Sequence, residues 1–212
     1  DRIHLGTTAA SDRAATAATN VTGGGGDDAI TLESTATATA ADATASVTNT
    51  ADGGDGSDVL TGIALADGTD AGGRASNVLV GRAGGDTLRG TAQAIGAATG
   101  YNWLDGGDGD DALTGTILGG NGRSTLLGDV GNDWLRVFGG TGNRLDGGQG
   151  DDDLIANGTI VDQGGPGVPG AAAVPTLSVW MLMLLATLLL GFAATGLAAP
   201  TSDSKQPRKA RQ

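Results

Sequence analysis

The sequence predicts an all-β fold, a right-handed parallel β-solenoid with tapering coils, followed by a single C-terminal transmembrane helix. Three observations carry this. Glycine supplies 40 of 212 residues and aromatics only 3%, too little bulk for an ordinary globular core. The glycines recur inside a repeat whose period shrinks in regular steps. One apolar run without charge, residues 176–199, follows a Gly/Pro-rich break. A collagen helix is excluded because the glycines do not fall at every third position.

Four segments match Gly-Gly-x-Gly-x-Asp-x-apolar-x throughout: GGGGDDAIT from Gly23, GGDGSDVLT from Gly53, GGDGDDALT from Gly106 and GGQGDDDLI from Gly147. Two more, from Gly81 and Gly128, carry Arg82 and Asp129 at the second glycine. The aspartates of the six segments are Asp28, Asp58, Asp86, Asp111, Asp133 and Asp152, at intervals of 30, 28, 25, 22 and 19. Upstream stand Asn20, Asn49, Asn77, Asn102, Ser124 and Asn143, at intervals of 29, 28, 25, 22 and 19. Two series that shrink together describe one coil repeated six times, with a return arc that shortens. Asp1-Arg2-Ile3 also fits the Asp-x-apolar slot, so the sequence is expected to begin mid-coil, as a fragment or processed product.

Each coil offers few apolar side chains. Asp-x-Leu and Asn-x-Leu place one inward and its neighbours outward, and glycine runs supply the turns. Stacking is needed to join these residues into a continuous column. The first return arcs, such as residues 35–48, alternate Thr with Ala, which suits a slim strand with small residues inside. So thin a column calls for a second stabiliser.

Stacking sets the six aspartates above one another, where like charges one strand apart repel. A cation between successive carboxylates reverses the sign of that interaction. Calcium suits the position, since it takes roughly 6–8 oxygen ligands from carboxylates and carbonyls. Transition metals prefer Cys or His, and the chain has no Cys and only His4.

These segments resemble the RTX-type calcium-binding nonapeptides, GGxGxDxUx, of secreted Gram-negative proteins, over residues 20–156. The resemblance implies a parallel β-roll, with Ca2+ held between neighbouring coils. It gives the ligand role to the six aspartates and to carbonyls of the turn residues Gly26, Gly56, Gly84, Gly109, Gly131 and Gly150. Weak sites, about 10⁻⁴–10⁻³ M, are expected. Asn or Ser at the corresponding slot of the second edge places calcium on one edge and an Asn ladder on the other. Arg82 and Asp129 depart from the pattern in the third and fifth turns.

The solenoid is expected over 1–162 and a Gly/Pro linker over 163–174. A motif with its transmembrane helix is expected over 175–199, and a basic cytoplasmic tail over 200–212. Val174-Pro175-Thr176-Leu177-Ser178-Val179-Trp180 resembles the IPTL-type C-terminal sorting domain, with Val174 for Ile and Met181 for Gly. The resemblance implies that a membrane sorting or processing protease recognises Val174, Pro175, Thr176, Leu177, Ser178 and Trp180. It places the coils in the cell envelope, outside the cytoplasmic membrane, or released to the surface.

The first 168 residues hold 23 acidic and 8 basic side chains, which argues against a nucleic-acid partner. No HExxH, GxSxG or phosphate loop occurs, and the carboxylates repeat rather than converge, so an enzyme is not expected. Trp103 and Trp134 take outward slots, either shielding the apolar column or forming a patch for a surface glycan or protein. The function expected is a calcium-binding, surface-sorted structural or adhesive protein of a Gram-negative bacterium. The alternative is an accessory domain of a secreted hydrolase whose catalytic region lies upstream.

Overall fold

The computed structural model describes residues 1–68, 72–119 and 121–156. The chain divides into two units, Asp1–Gly170 and Ala171–Gln212, and all described residues lie in the first. Thirteen strands run in order: β1 (Arg2–Ser11), β2 (Ala14–Gly25), β3 (Ala29–Ala38), β4 (Thr44–Asp55), β5 (Val59–Gly68), β6 (Arg74–Ala83), β7 (Thr87–Gly96), β8 (Thr99–Asp108), β9 (Ala112–Leu118), β10 (Asn121–Val130), β11 (Trp134–Phe138), β12 (Arg144–Asp146) and β13 (Asp153–Ala156). Odd strands form one seven-stranded sheet and even strands a six-stranded one, each in coil order and wholly parallel. The protein is a right-handed parallel β-solenoid.

The pairing register follows the repeat. Ile30, Leu60, Leu88, Leu113, Leu135 and Leu154 stand in one column of the odd sheet. Val21, Ala51, Leu79, Leu104, Leu126 and Leu145 stand in one column of the even sheet. The two columns meet as a Leu-rich core beside the glycine turns. A second core, made almost wholly of alanine with Val47 and Ile117, lies toward the other edge. Small side chains let the two sheets approach there. The taper falls on this second core: strands of the odd sheet shorten from 10 residues in β7 to 7, 5 and 4 in β9, β11 and β13.

Residues 35–48 do not form one continuous strand. β3 ends at Ala38 and β4 begins at Thr44, with Asp42 at φ 62° in the turn between them. The alternation holds on both sides of that turn, since Ala36, Ala38, Ala43 and Ala45 are buried.

Two expectations are corrected. Asn20 is one residue out of step: Thr19 pairs in register with Asn49, and Asn20 faces outward opposite Thr50. The Asn/Ser column is also not a second edge. From Asn49 to Ser124 its side chains point inward from within the even strands, between the two cores, because the distal turns come several residues earlier, as between Ala38 and Thr44.

The fold class is corrected in its second half. The described residues contain strands and no helix, and none long and apolar enough to cross a membrane. The helix expected over 175–199, and the motif from Val174 to Trp180, lie outside the described residues. That expectation rested on hydropathy and length, which report avoidance of water but not what a segment packs against. The membrane partner, the sorting protease and the envelope location rested on that motif and helix, and nothing in the described residues supports them.

Candidate metal ladder

Each glycine turn carries its aspartate back under the edge of the Leu-rich core. Asp28, Asp58, Asp86, Asp111 and Asp133 are 1–4% exposed, while Asp152 in the last coil is half-buried. The fourth turn residue makes the reversal possible. Gly26, Gly56, Gly84, Gly109, Gly131 and Gly150 all have φ between +92° and +150°, open to glycine at little cost. Their spacing along the stack is also tight: a Cβ on Gly84, Gly109 or Gly131 would collide with the carbonyl of the equivalent glycine one coil earlier. These carbonyls therefore point along the solenoid axis.

The aspartates form a hydrogen-bonded ladder with one direction. The backbone N–H of Asp28 donates to Asp58 Oδ1 at 2.7 Å, and those of Asp58 and Asp86 donate to Asp86 and Asp111 at the same distance. Asp111 and Asp133 continue to Asp133 and Asp152 at 2.9 Å. The amino group of Asp1 takes the same place before Asp28, at 2.7 Å, so Asp1 does occupy the Asp slot.

The second oxygen is different. Oδ2 of all six aspartates is buried without a hydrogen-bond partner. Each lies against the first glycine of its own turn, where a Cβ would overlap it. Burial raises the Asp58 carboxyl above its ordinary value, and pushes Asp86 and Asp133 up to about 6 and Asp111 to about 7. The N–H bond at Oδ1 opposes this, and neighbouring aspartates add to it. An orphaned, crowded row of acceptors is a poor place for bare charge and a suitable one for a hard cation.

Outside this row runs a second ladder of opposite direction. Ser57 N–H donates to Asp27 Oδ1, Asn132 N–H to Asp110 Oδ1, and Asp151 N–H to Asn132 Oδ1, at 2.8–2.9 Å. Gly85 interrupts it in the third turn. Sequence reading missed this ladder, although a polar residue before five of the six repeat aspartates was its signal. Among the described residues no group of three or more His, Asp or Glu side chains is placed to hold a metal ion by side chains alone. A cation here would draw on one Oδ2 at a time and on turn carbonyls.

From Asn49 to Ser124 the Asn column is bonded along the stack as expected. Asn49 Nδ2 donates to Asn77 Oδ1 at 3.0 Å, Asn77 to Asn102 at 2.9 Å, and Asn102 to Ser124 Oγ at 3.3 Å. Gly62, Gly90 and Gly115 face it from the odd sheet, each too close to bear a Cβ without displacement.

Arg82 and Asp129 keep the turn in place of glycine, at φ 86° and 71°. Arg82 pairs with Asp52, and Asp129 shares a hydrogen bond with Asp105, whose carboxyl is pushed to about 6 by burial and by that neighbour. Arg74 stacks on Tyr101, 4.1 Å from the ring centroid. Trp103 and Trp134 are each 36% exposed beside fully buried Leu104 and Leu135. Trp103 lies on the even sheet and Trp134 on the odd sheet, so they form no joint patch. Trp134 instead carries the guanidinium of Arg136, 4.2 Å from its ring.

Comparison of the chain with family models, with curated proteins and with solved structures finds no match.

Proposed function

We propose that this protein is a calcium-binding structural solenoid whose coils are locked by divalent ions along the glycine edge. The observation that carries this reading is the row of six aspartate Oδ2 atoms, buried and without partners, in a column one coil apart. The likeness of the repeats to RTX nonapeptides supports calcium as the ion.

Asp28, Asp58, Asp86, Asp111, Asp133 and Asp152 would hold it through Oδ2, with carbonyls of turn glycines such as Gly26, Gly56 and Gly84. Bound calcium supplies positive charge between carboxylates that otherwise repel. Oδ1 is already committed to the backbone and orients the carboxylate. The alanine core is thin and the unfolded chain has no preformed site, so metal and folding are coupled. The carboxylates repeat along an axis instead of facing one another across a substrate-sized space, which favours a scaffold over an enzyme.

Circular dichroism and thermal melting in EGTA and in millimolar calcium test the reading. Calcium is expected to increase β-structure and raise the melting temperature. Identical spectra and melting points in both would refute it.

A further inference from the structure

The six turns differ at their second residue, and the difference reaches the ladder. In the first coil the place where Gly23 would carry a Cβ is bounded, inside 3.0 Å, by Asp28 Oδ2 and by the carbonyl of Gly53 from the next coil. The same pairing recurs at Gly81, between Asp86 Oδ2 and the Gly106 carbonyl, and at Gly128, between Asp133 Oδ2 and the Gly147 carbonyl. At Gly53 and Gly106 it does not recur. There the three nearest atoms, out to 3.0 Å, all belong to Asp58 or Asp111, so the carbonyls of Gly81 and Gly128 stand further off.

The residue that follows each withdrawn carbonyl is not glycine. Gly54, Gly107 and Gly148 follow the close-set carbonyls, with φ of +107°, +102° and +90°. Arg82 and Asp129 follow the withdrawn ones, with φ of +86° and +71°. The second turn position faces the carbonyl of the preceding coil so closely that a Cβ on Gly54, Gly107 or Gly148 would collide with it. A Cβ at Arg82 or Asp129 occupies the equivalent place, and turning the peptide that carries the Gly81 or Gly128 oxygen would relieve that crowding.

We infer that complete divalent-ion sites alternate along the ladder, at the Asp28–Asp58, Asp86–Asp111 and Asp133–Asp152 intervals only. This rests on the calcium reading above. At the two incomplete intervals the side chain at the second turn position also meets an aspartate of the preceding coil from outside. Arg82 reaches back to Asp52, and Asp129 to Asp105, each the residue just before the preceding Gly-Gly. At the second interval the guanidinium puts a fixed positive charge across the coils in place of an ion.

Native mass spectrometry of the full chain in calcium counts the ions, with circular dichroism confirming the fold of each variant. Three are expected in the wild type. Arg82→Gly and Asp129→Gly should each add one, and Gly107→Asn, which introduces a Cβ at an intact interval, should remove one. Asp52→Asn frees the guanidinium without altering the backbone at Arg82 and should leave three. Five ions in the wild type, an unchanged count in Arg82→Gly, or four in Asp52→Asn would overturn the inference while leaving calcium binding intact. No ions in any variant would overturn the calcium reading itself.

Discussion

The backbone N–H of Asp86 donates to Asp111 Oδ1 at 2.7 Å, while Asp111 Oδ2, on the same carboxylate, has no partner at all. One oxygen holds two coils together and the other is left for an ion or a proton. Asp111→Asn separates the two roles, since the amide keeps an oxygen for Asp86 and removes the charge. Metal-free Asp111→Asn is expected to be more stable than wild type by about 1–3 kcal/mol at pH 7.5. Its gain on adding calcium should shrink. Denaturant melts with and without calcium measure both, and a less stable metal-free variant would contradict the assignment.

The raised carboxyls give the metal-free protein a defined pH dependence. Asp86, Asp111 and Asp133 sit at about 6, 7 and 6 when folded and near 3.8 when unfolded. Between these values the folded state binds more protons, so stability falls as pH rises. The stabilising protonation is complete below pH 4 and lost through pH 6–7. In EGTA the melting temperature should therefore be higher at pH 5 than at pH 8, and calcium should raise it most at pH 8. A melting temperature in EGTA that climbs from pH 5 to 8 would show that the column is not the titrating element.

Gly90 faces Asn102 Oδ1, and a Cβ there would lie 2.7 Å from it and 3.1 Å from Leu104 Cδ1. Gly90→Ala should cost about 1–3 kcal/mol by overpacking. Calcium should not restore the loss, because the clash lies inside the solenoid and away from the turns. Thermal melts in saturating calcium decide this.

The Asn ladder stops one coil short of the first strand pair. Asn49 Oδ1 is buried without a partner, and its neighbour in register is Thr19, whose hydroxyl bonds Thr7 and Ser34 at 2.9 and 3.0 Å. Thr19→Asn presents an amide in the position from which Asn49 itself donates to Asn77. It should stabilise the protein by about 0.5–1.5 kcal/mol if the new bond replaces those of the hydroxyl. Hydrogen exchange in β2 and β4 should slow in parallel.

Much of the solenoid was legible because its signal is periodic. The Asp, Leu and Gly slots return at intervals that the strand register reproduces residue for residue from Ile3 to Leu154. Asn20 was misplaced because Asn49 lies 29 residues later while the coil length there is 30, and only pairing between neighbouring strands distinguishes the two. The outer ladder through Asp27, Asp110 and Asn132 was hidden because its members differ in residue type and share only a place in the turn. Trp103 and Trp134 look alike in sequence and sit on different sheets.

By itself the sequence determined the coil count, the taper, the columns of Leu and Asp, and the glycine turns, since each depends on local backbone demands or on a side chain that repeats. Only the tertiary structure decided what each carboxylate oxygen touches. It placed Asn49, Asn77 and Asn102 between two cores rather than at an edge, and set Arg82 and Asp129 against the Asp residues one coil before. Those contacts join residues 24–30 positions apart, and their geometry turns on the direction of one carbonyl against the next, which no spacing along the chain records.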